Sequence, residues 1–518
     1  MPKIEETCQL AQNVVYHNNK QTFRKVSNLK SSSTTAFAQA SLALSKEKPQ
    51  LEIAFSAGAL SPFGGLPLLE KLARMTGLID GAAARLKDHR TQSLIDYNKL
   101  LLLKQCVLLT ATGNSDTNDA DRYRFDPACL TALGLNVDGS EGGLASQPSI
   151  SRFLNDATAE ELDALADWLL EFYLRHRPKP KKLYLFADGT AVETFGTQEG
   201  AVYRGGKYKK QMYFPLTIFD QNGWLLAAKL RRGDKSEAKT IVGILEWLVP
   251  KIRQNWRHVE IILVVDSGFR SSNLLSWCEK NRIFYLAGYG STFAVDMKPE
   301  VKLAERKVEK HFKIRHGEPR FLGEDGNTRA QEEHARIRSI ENSKERTAAE
   351  KALRSRLVRV FVDTEHKANT WTKEDPDRRL IAKFDYTDKG LDSRRVLTNF
   401  KGYTAEQIYK MYTSRGESEK WIGETKGCFN LRFNSQSFNA NQFRLLIHAF
   451  AYTLLSLLRS AFSWSFRRQT IESVRKNFIE IPVAVTYRTK WTLNWALSSR
   501  YPHQNEFLRV VRKLQRAA

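Results

Sequence analysis

Two short apolar runs each end on an aspartate: KKLYLFAD closes on Asp188 and VEIILVVD on Asp266. A third acid, Glu419, stands in YTSRGESEKWIGETK, with Tyr412, Arg415 and Lys426 around it at the spacing Y-x2-R-x3-E-x6-K. At roughly 100° per residue, these four fall within an arc of about 60° on a single helix. Carboxylates are hard oxygen donors and suit Mg²⁺, which takes few protein ligands and keeps several waters. Two divalent ions about 4 Å apart stabilise both the attacking and the leaving oxygen at a phosphodiester. Three acids from three separate elements meet that demand. A phenol, a guanidinium and an ammonium on the same face can grip phosphates beside them. The competing reading is a solvated face with an i,i+4 Arg–Glu pair, and Gly416 and Gly423 lower helix propensity there. Glu417 is the nearest rival to Glu419, and the x3 spacing from Arg415 favours Glu419.

Elements must bring these acids together. From Lys181 the pattern reads strand (KKLYLFAD), then a hairpin of MYFPLTIFD and WLLAAKL joined at Gln221-Asn222-Gly223. A helix over Ser236 to Trp256 follows, with Ile241, Ile244, Leu245 and Leu248 on one face. VEIILVVD is nearly continuous in apolar residues, as expected of a strand buried on both sides. A helix over Ser272 to Asn281 and the strand IFYLAGYG close the unit. Strand, strand, strand, helix, strand, helix, strand is the order of the α/β ribonuclease-H-like fold, a mixed sheet flanked by helices. Its first and fourth strands are neighbours, so Asp188 and Asp266 are expected side by side.

Around that core the chain divides as follows. Residues 1–50 are polar and read as a partly disordered tether. Residues 51–180 are helical and are expected to form a DNA-binding domain. Thr158 and Glu161 make a capping box, and Ser149 or Ser151 is an expected N-cap. The core's first part is 181–295. An insertion domain, β-rich or mixed, spans 296–404, with a charged helical stretch before the strand-like RLVRVFVDTEH, RRLIAKFDY and SRRVLTNF. The core resumes over 405–465, and 466–518 is a basic, aromatic C-terminal region.

Lys and Arg number 81 against 57 Asp and Glu, a net charge of +24, and the pI is about 9.7. Such an excess attracts polyanions, with nucleic acid the default partner. Five scattered cysteines without a CxxC argue against a disulfide framework and a structural zinc site. The N-terminus has no apolar h-region. The longest apolar stretch, Phe443 to Leu458, is interrupted by Arg444 and His448 and reads as a buried helix, not a membrane span. The unpaired spacing of the cysteines fits a reducing cytosol. AVYRGGKY lacks the first Gly and the final Ser/Thr of a P-loop, so no nucleotide cofactor is expected. Its basic run, Arg204, Lys207, Lys209 and Lys210, is a candidate DNA contact. Glu193 and Glu199 read as surface-loop residues and Asp220 and Asp234 as turn residues. Trp421 is a candidate for either base stacking or core packing.

From about residue 60 to about 460 the sequence resembles the DDE transposases of bacterial insertion sequences, in the branch marked by the Y-R-E-K signature, and most of all the insertion sequence 1380 group. The resemblance rests on LASQPSISRFLND, GNSDTNDADRYRFDP, DGTAVETFGTQEGAVYRGGKYKKQMYFPL, LRRGDKSEA, VDSGFR, RGESEKWIGETK and NQFRLLIHAFAYTLLSLLR. It departs in the long charged stretch Ala304 to Leu357 and at both termini. The resemblance implies cut-and-paste transposition. Two Mg²⁺ ions (Mn²⁺ as substitute) would be bound by Asp188, Asp266 and Glu419, with Tyr412, Arg415 and Lys426 on DNA near the cleaved bond. The expected partners are double-stranded DNA, as transposon ends and target, and a second copy of the chain in the DNA complex. The rivals are a nuclease of the same fold that cuts without joining, and a domesticated DNA-binding protein.

Overall fold

β-Branched and aromatic residues in runs of four to ten build the central sheet of eight strands: β1 (Lys182–Gly189), β2 (Leu216–Phe219), β3 (Leu225–Lys229), β4 (Glu260–Val265), β5 (Phe284–Tyr289), β6 (Leu357–His366), β7 (Arg378–Thr387) and β8 (Gly390–Thr398). Their spatial order is β6-β7-β8-β5-β4-β1-β2-β3. β1, β2 and β3 form an antiparallel meander, and β4 runs parallel to β1 and β5 parallel to β4. This half of the sheet, with helices on both faces, is the ribonuclease-H-like arrangement expected from the order of elements. The computed structural model describes residues 39–43, 50–54 and 56–516, apart from 92, 94, 141, 207, 234–236, 429–430 and 490–491.

The strands expected in the insertion do not stand apart. β8 pairs antiparallel with β5, and β7 and β6 follow, so residues 357–398 widen the central sheet. β5 ends at Tyr289, opposite Arg395, whereas β8 begins at Gly390. At about 3.3 Å per residue, β7 and β8 overhang that edge by about 16 Å. The charged stretch before them folds as three helices, Pro299–His316, Gly326–Arg338 and Ser343–Ser355.

Side chains alternate across the sheet and supply two cores. On one face, Leu185, Ala187, Leu263 and Val265 pack with the helices Glu237–Asn255, Ser272–Lys280 and Pro299–His316. On the other, Phe186, Phe219, Ile262 and Val264 pack against the long helix Phe438–Ala461 and the N-terminal helices. Among these are Leu66–Thr76, Lys99–Ala111, Gln147–Asn155 and Ala159–His176. The helix Phe438–Ala461 is buried on nearly every side, Arg444 and His448 included, in line with the buried helix expected there. Among the described residues, no helix is long and apolar enough to cross a membrane.

The Thr158–Glu161 capping box forms with both of its bonds. The preceding helix starts at Gln147 rather than beside Ser149 or Ser151, because Pro148 fits its first turn. Gln39–Ala43, inside the expected N-terminal tether, pairs antiparallel with Gln50–Ala54, a strand that opens the region expected to be helical. The rest of residues 1–49 lies outside the described residues. Among the described residues, those from Ala59 onward form one compact unit.

Candidate active site

The β1–β4 ladder sets the first two acids. Lys182 pairs with Glu260, and each step follows in register to Phe186 beside Val264. The ladder ends at that pair; continuing its register by two residues puts Asp188 level with Asp266 at the carboxyl edge of the sheet. Neighbouring strands lie about 4.8 Å apart, and residues two apart share a face. Both aspartates therefore lie on the face that carries Phe186 and Val264. Each is half-buried. Asp188 Oδ1 accepts from its own following Gly189 N at 2.8 Å, and Asp266 Oδ1 accepts from Gly268 N at 2.8 Å, starting a 3-10 turn.

The third acid comes from a helix on that same face. The chain breaks at Ser414, so α1 (Ala405–Thr413) carries Tyr412 and α2 (Arg415–Cys428) carries Arg415 and Glu419. The single helical face expected for the four signature residues is thus split between two helices. The Lys426 side chain lies outside the described residues. Trp421 fixes α2 to the sheet: its ring meets Phe186 at 5.7 Å and Phe219 at 5.9 Å. It is buried, so core packing rather than an open stacking surface describes it. The hairpin turn between β2 and β3 closes over it. Gly223 has φ +77, and a Cβ there would stand 2.6 Å from Trp421 Nε1.

Arg415 bridges the acids. Its Nη2 donates to Glu419 Oε1 at 2.6 Å, and its Nη1 lies 3.9 Å from Asp188 Oδ2. Burial pulls this guanidinium down, but Tyr412, Glu419, Asp188 and Asp266 together hold it above its ordinary value. Burial pushes the Tyr412 phenol up; Arg415 opposes the shift and Asp266 adds to it. Glu419 itself is exposed. Among the described residues, no three acidic, histidine or cysteine side chains already converge as a metal cage. The donor set is nonetheless of the right kind: two level carboxylates on a rigid edge and a third on a facing helix, all hard oxygen.

Gly288 is a site residue that the sequence reading missed. A Cβ there would meet the Tyr412 hydroxyl at 2.4 Å, Ser267 N at 3.0 Å and the Asp266 carbonyl carbon at 3.2 Å. Only the bare backbone of β5 lets Tyr412 lie against the Asp266 turn. The single clue in the sequence was a glycine inside the strand run IFYLAGYG.

Several of the other candidates have structural partners. Arg204 donates to Gly233 O at 2.7 Å and lies over the Phe214 ring. Lys210 pairs with Glu193 at 2.5 Å on a small three-stranded sheet. Lys209 is exposed, with φ 52, and Lys207 lies outside the described residues, as does Asp234. Glu199 accepts from Phe438 N at 2.9 Å, at the start of the long helix. Asp220 takes Asn222 N and Trp224 N within the hairpin turn, as expected of a turn residue.

The sequence model of the family described as "Transposase DDE domain group 1" matches residues 44–518. No curated protein matches the chain. Two solved structures align at low similarity. One is described as "Cryo-EM structure of piggyBac transposase synaptic complex with hairpin DNA", with 11% identity, 80% of this chain and 79% of that chain covered, and a TM-score of 0.38. The other is described as "Mos1 transposase paired-end complex with left transposon end", with 12% identity, 52% and 80% covered, and a TM-score of 0.16.

Proposed function

Because the chain belongs to the transposase DDE domain family, we propose that it cuts DNA at the ends of a transposable element and joins the freed 3′ ends to target DNA. The observation that carries this reading is the register that levels Asp188 with Asp266 while Arg415 ties Glu419 to the same edge. Asp188, Asp266 and Glu419 would hold two Mg²⁺ ions, with Mn²⁺ able to replace them. When bound, such ions polarise the scissile phosphate and lower the pKa of attacking water. Asp188 and Asp266 hold fixed positions because their strands are fixed. Arg415, released from Glu419, is placed to neutralise a phosphate oxygen, and Tyr412 packs the floor beside Asp266. Lys426, Arg204, Lys207, Lys209 and Lys210 are proposed as further contacts to the DNA backbone.

The finer assignments belong to the same proposal. The chain is read as a member of the Y-R-E-K branch near the insertion sequence 1380 group, acting as a homodimer on paired ends in a bacterial cytoplasm, at the nucleoid. The helices of residues 51–180 would read the DNA end, and 296–404 would serve as the insertion between the second acid and the glutamate.

The test uses purified protein with Mg²⁺ or Mn²⁺ and DNA carrying the element's flanking ends. Wild type is expected to cleave and then transfer the 3′ end. Asp188→Ala, Asp266→Ala and Glu419→Ala are each expected to bind DNA and cut nothing. Cleavage that survives Glu419→Ala would move the third ligand elsewhere, Glu417 first. Cleavage without joining would reduce the protein to a nuclease.

A further inference from the structure

Three cations converge on the carboxyl end of the helix Phe438–Ala461. Arg509 Nη2 donates to Ala461 O at 2.9 Å, and Lys513 Nζ donates to the same oxygen at 3.3 Å. Arg467 Nε donates to Phe462 O at 2.6 Å. A helix C-terminus carries partial negative charge and favours a cation, but three around two carbonyls repel one another. Burial, then Arg467 and Arg509, depress the Lys513 ammonium.

Counter-charge is short in this region. Residues 461–518 hold eleven Lys and Arg against three Glu. Each glutamate is engaged elsewhere or with one base: Glu472 with Lys476, Glu480 with Arg475, and Glu506 with Arg509. Arg467, Arg468 and Lys513 have no acidic partner among the described residues. At the rim stands Trp464, 72% exposed, with the Arg468 guanidinium 4.8 Å from its ring centroid. A helix end capped for stability alone needs neither the surplus charge nor an open indole. The corner also adjoins the catalytic helix: Arg459, in the last turn of this helix, pairs with Glu424 of α2. Glu424 is about 7.5 Å along that helix from Glu419, at 1.5 Å per residue.

We propose that this corner is a second nucleic-acid contact. Arg467, Arg468 and Lys513 take the phosphodiester backbone of a DNA strand, and Trp464 stacks on an unpaired base of it. Guanidinium and ammonium donors suit phosphate oxygens, and indole stacking tolerates any base.

The probe is a fluorescent duplex of arbitrary sequence with a single-stranded 3′ tail, compared with the blunt duplex, on the full chain without metal. Arg468→Gln/Lys513→Gln is expected to flatten the slope of log K against log salt by about 2, at about 0.9 per phosphate lost. Lys513→Arg should keep the wild-type slope. Trp464→Ser is expected to weaken binding of the tailed duplex about fivefold or more and leave the blunt one unchanged, while Trp464→Phe retains the preference. These side chains are exposed, and matching thermal melts would show that the fold is intact. An unchanged slope together with an unchanged tail preference overturns the proposal. So does loss of self-association in Trp464→Ser with DNA binding intact, which would assign the corner to a second copy. The probe carries no transposon end and needs no metal, so the result is independent of the cleavage reading.

Discussion

Arg415 occupies the position between Asp188 and Glu419 that a cation would take. Its bond to Glu419 is an exposed i,i+4 pair, and such pairs contribute only about 0.3–0.5 kcal/mol. Glu419 can therefore turn to a metal at little cost, and the guanidinium is then free for a phosphate. Arg415→Gln is expected to bind Mn²⁺ tighter than wild type without DNA, by about threefold to tenfold, since a competing positive charge is removed. It should also cut DNA poorly. Titration followed by the Mn²⁺ resonance signal reads the first effect, and equal or weaker affinity would sink the idea. Gly288 makes a separate prediction. Gly288→Ala should lower stability by about 1–3 kcal/mol, the usual cost of overpacking, and abolish cleavage. Because the nearest clash is with the Tyr412 hydroxyl oxygen, Tyr412→Phe on top of it should restore part of the lost denaturation midpoint. No recovery would mean that Ser267 and Asp266, not Tyr412, meet the new methyl.

At the scale of elements, α2 is held to the sheet by Trp421 and to the long helix by Glu424, whose carboxylate lies 3.4 Å from Arg459. Glu424 is buried and its Oε1 has no hydrogen-bond partner. Burial raises its pKa, with Arg459 and Lys420 opposing. An acid raised in the folded state stabilises most when protonated, and that contribution is lost as pH rises through the raised value. Glu424→Gln, permanently neutral, is therefore expected to be more stable than wild type at pH 8, with the gap closing towards pH 4. Urea midpoints at the two pH values measure it; a gap that widens in acid would reverse the sign. The same elements show what a sequence discloses. The strand runs ending on Asp188 and Asp266 were legible because a buried strand writes its apolar residues contiguously. The break at Ser414 was not, since Tyr412 to Lys426 satisfies one helical period whether or not the helix continues. The need for glycine at 288 was hidden as well, because it depends on a side chain arriving from residue 412.

Across the whole molecule, the order of strands within β1–β5 followed from the order of elements, since a parallel neighbour requires a crossover helix. That β6–β8 would widen the same sheet did not follow. Alternation marks a strand but does not name its partner. Nor did the pattern show that the N-terminal helices and the helix Phe438–Ala461 share one apolar cluster, because an amphipathic stripe is silent about what covers it. The widened sheet has a consequence for how the enzyme is born. A ribosome adding about 5–20 residues per second finishes β1 to β5 at Tyr289 and then needs about 7–26 s to reach Glu419. Through that interval the nascent chain owns a paired aspartate edge and an unclaimed β5 flank, which only β8 will cover. An exposed flank of this kind invites strands from other chains. Slow translation, or a stop within residues 300–400, would therefore yield an inert and aggregation-prone fragment rather than a half-active nuclease.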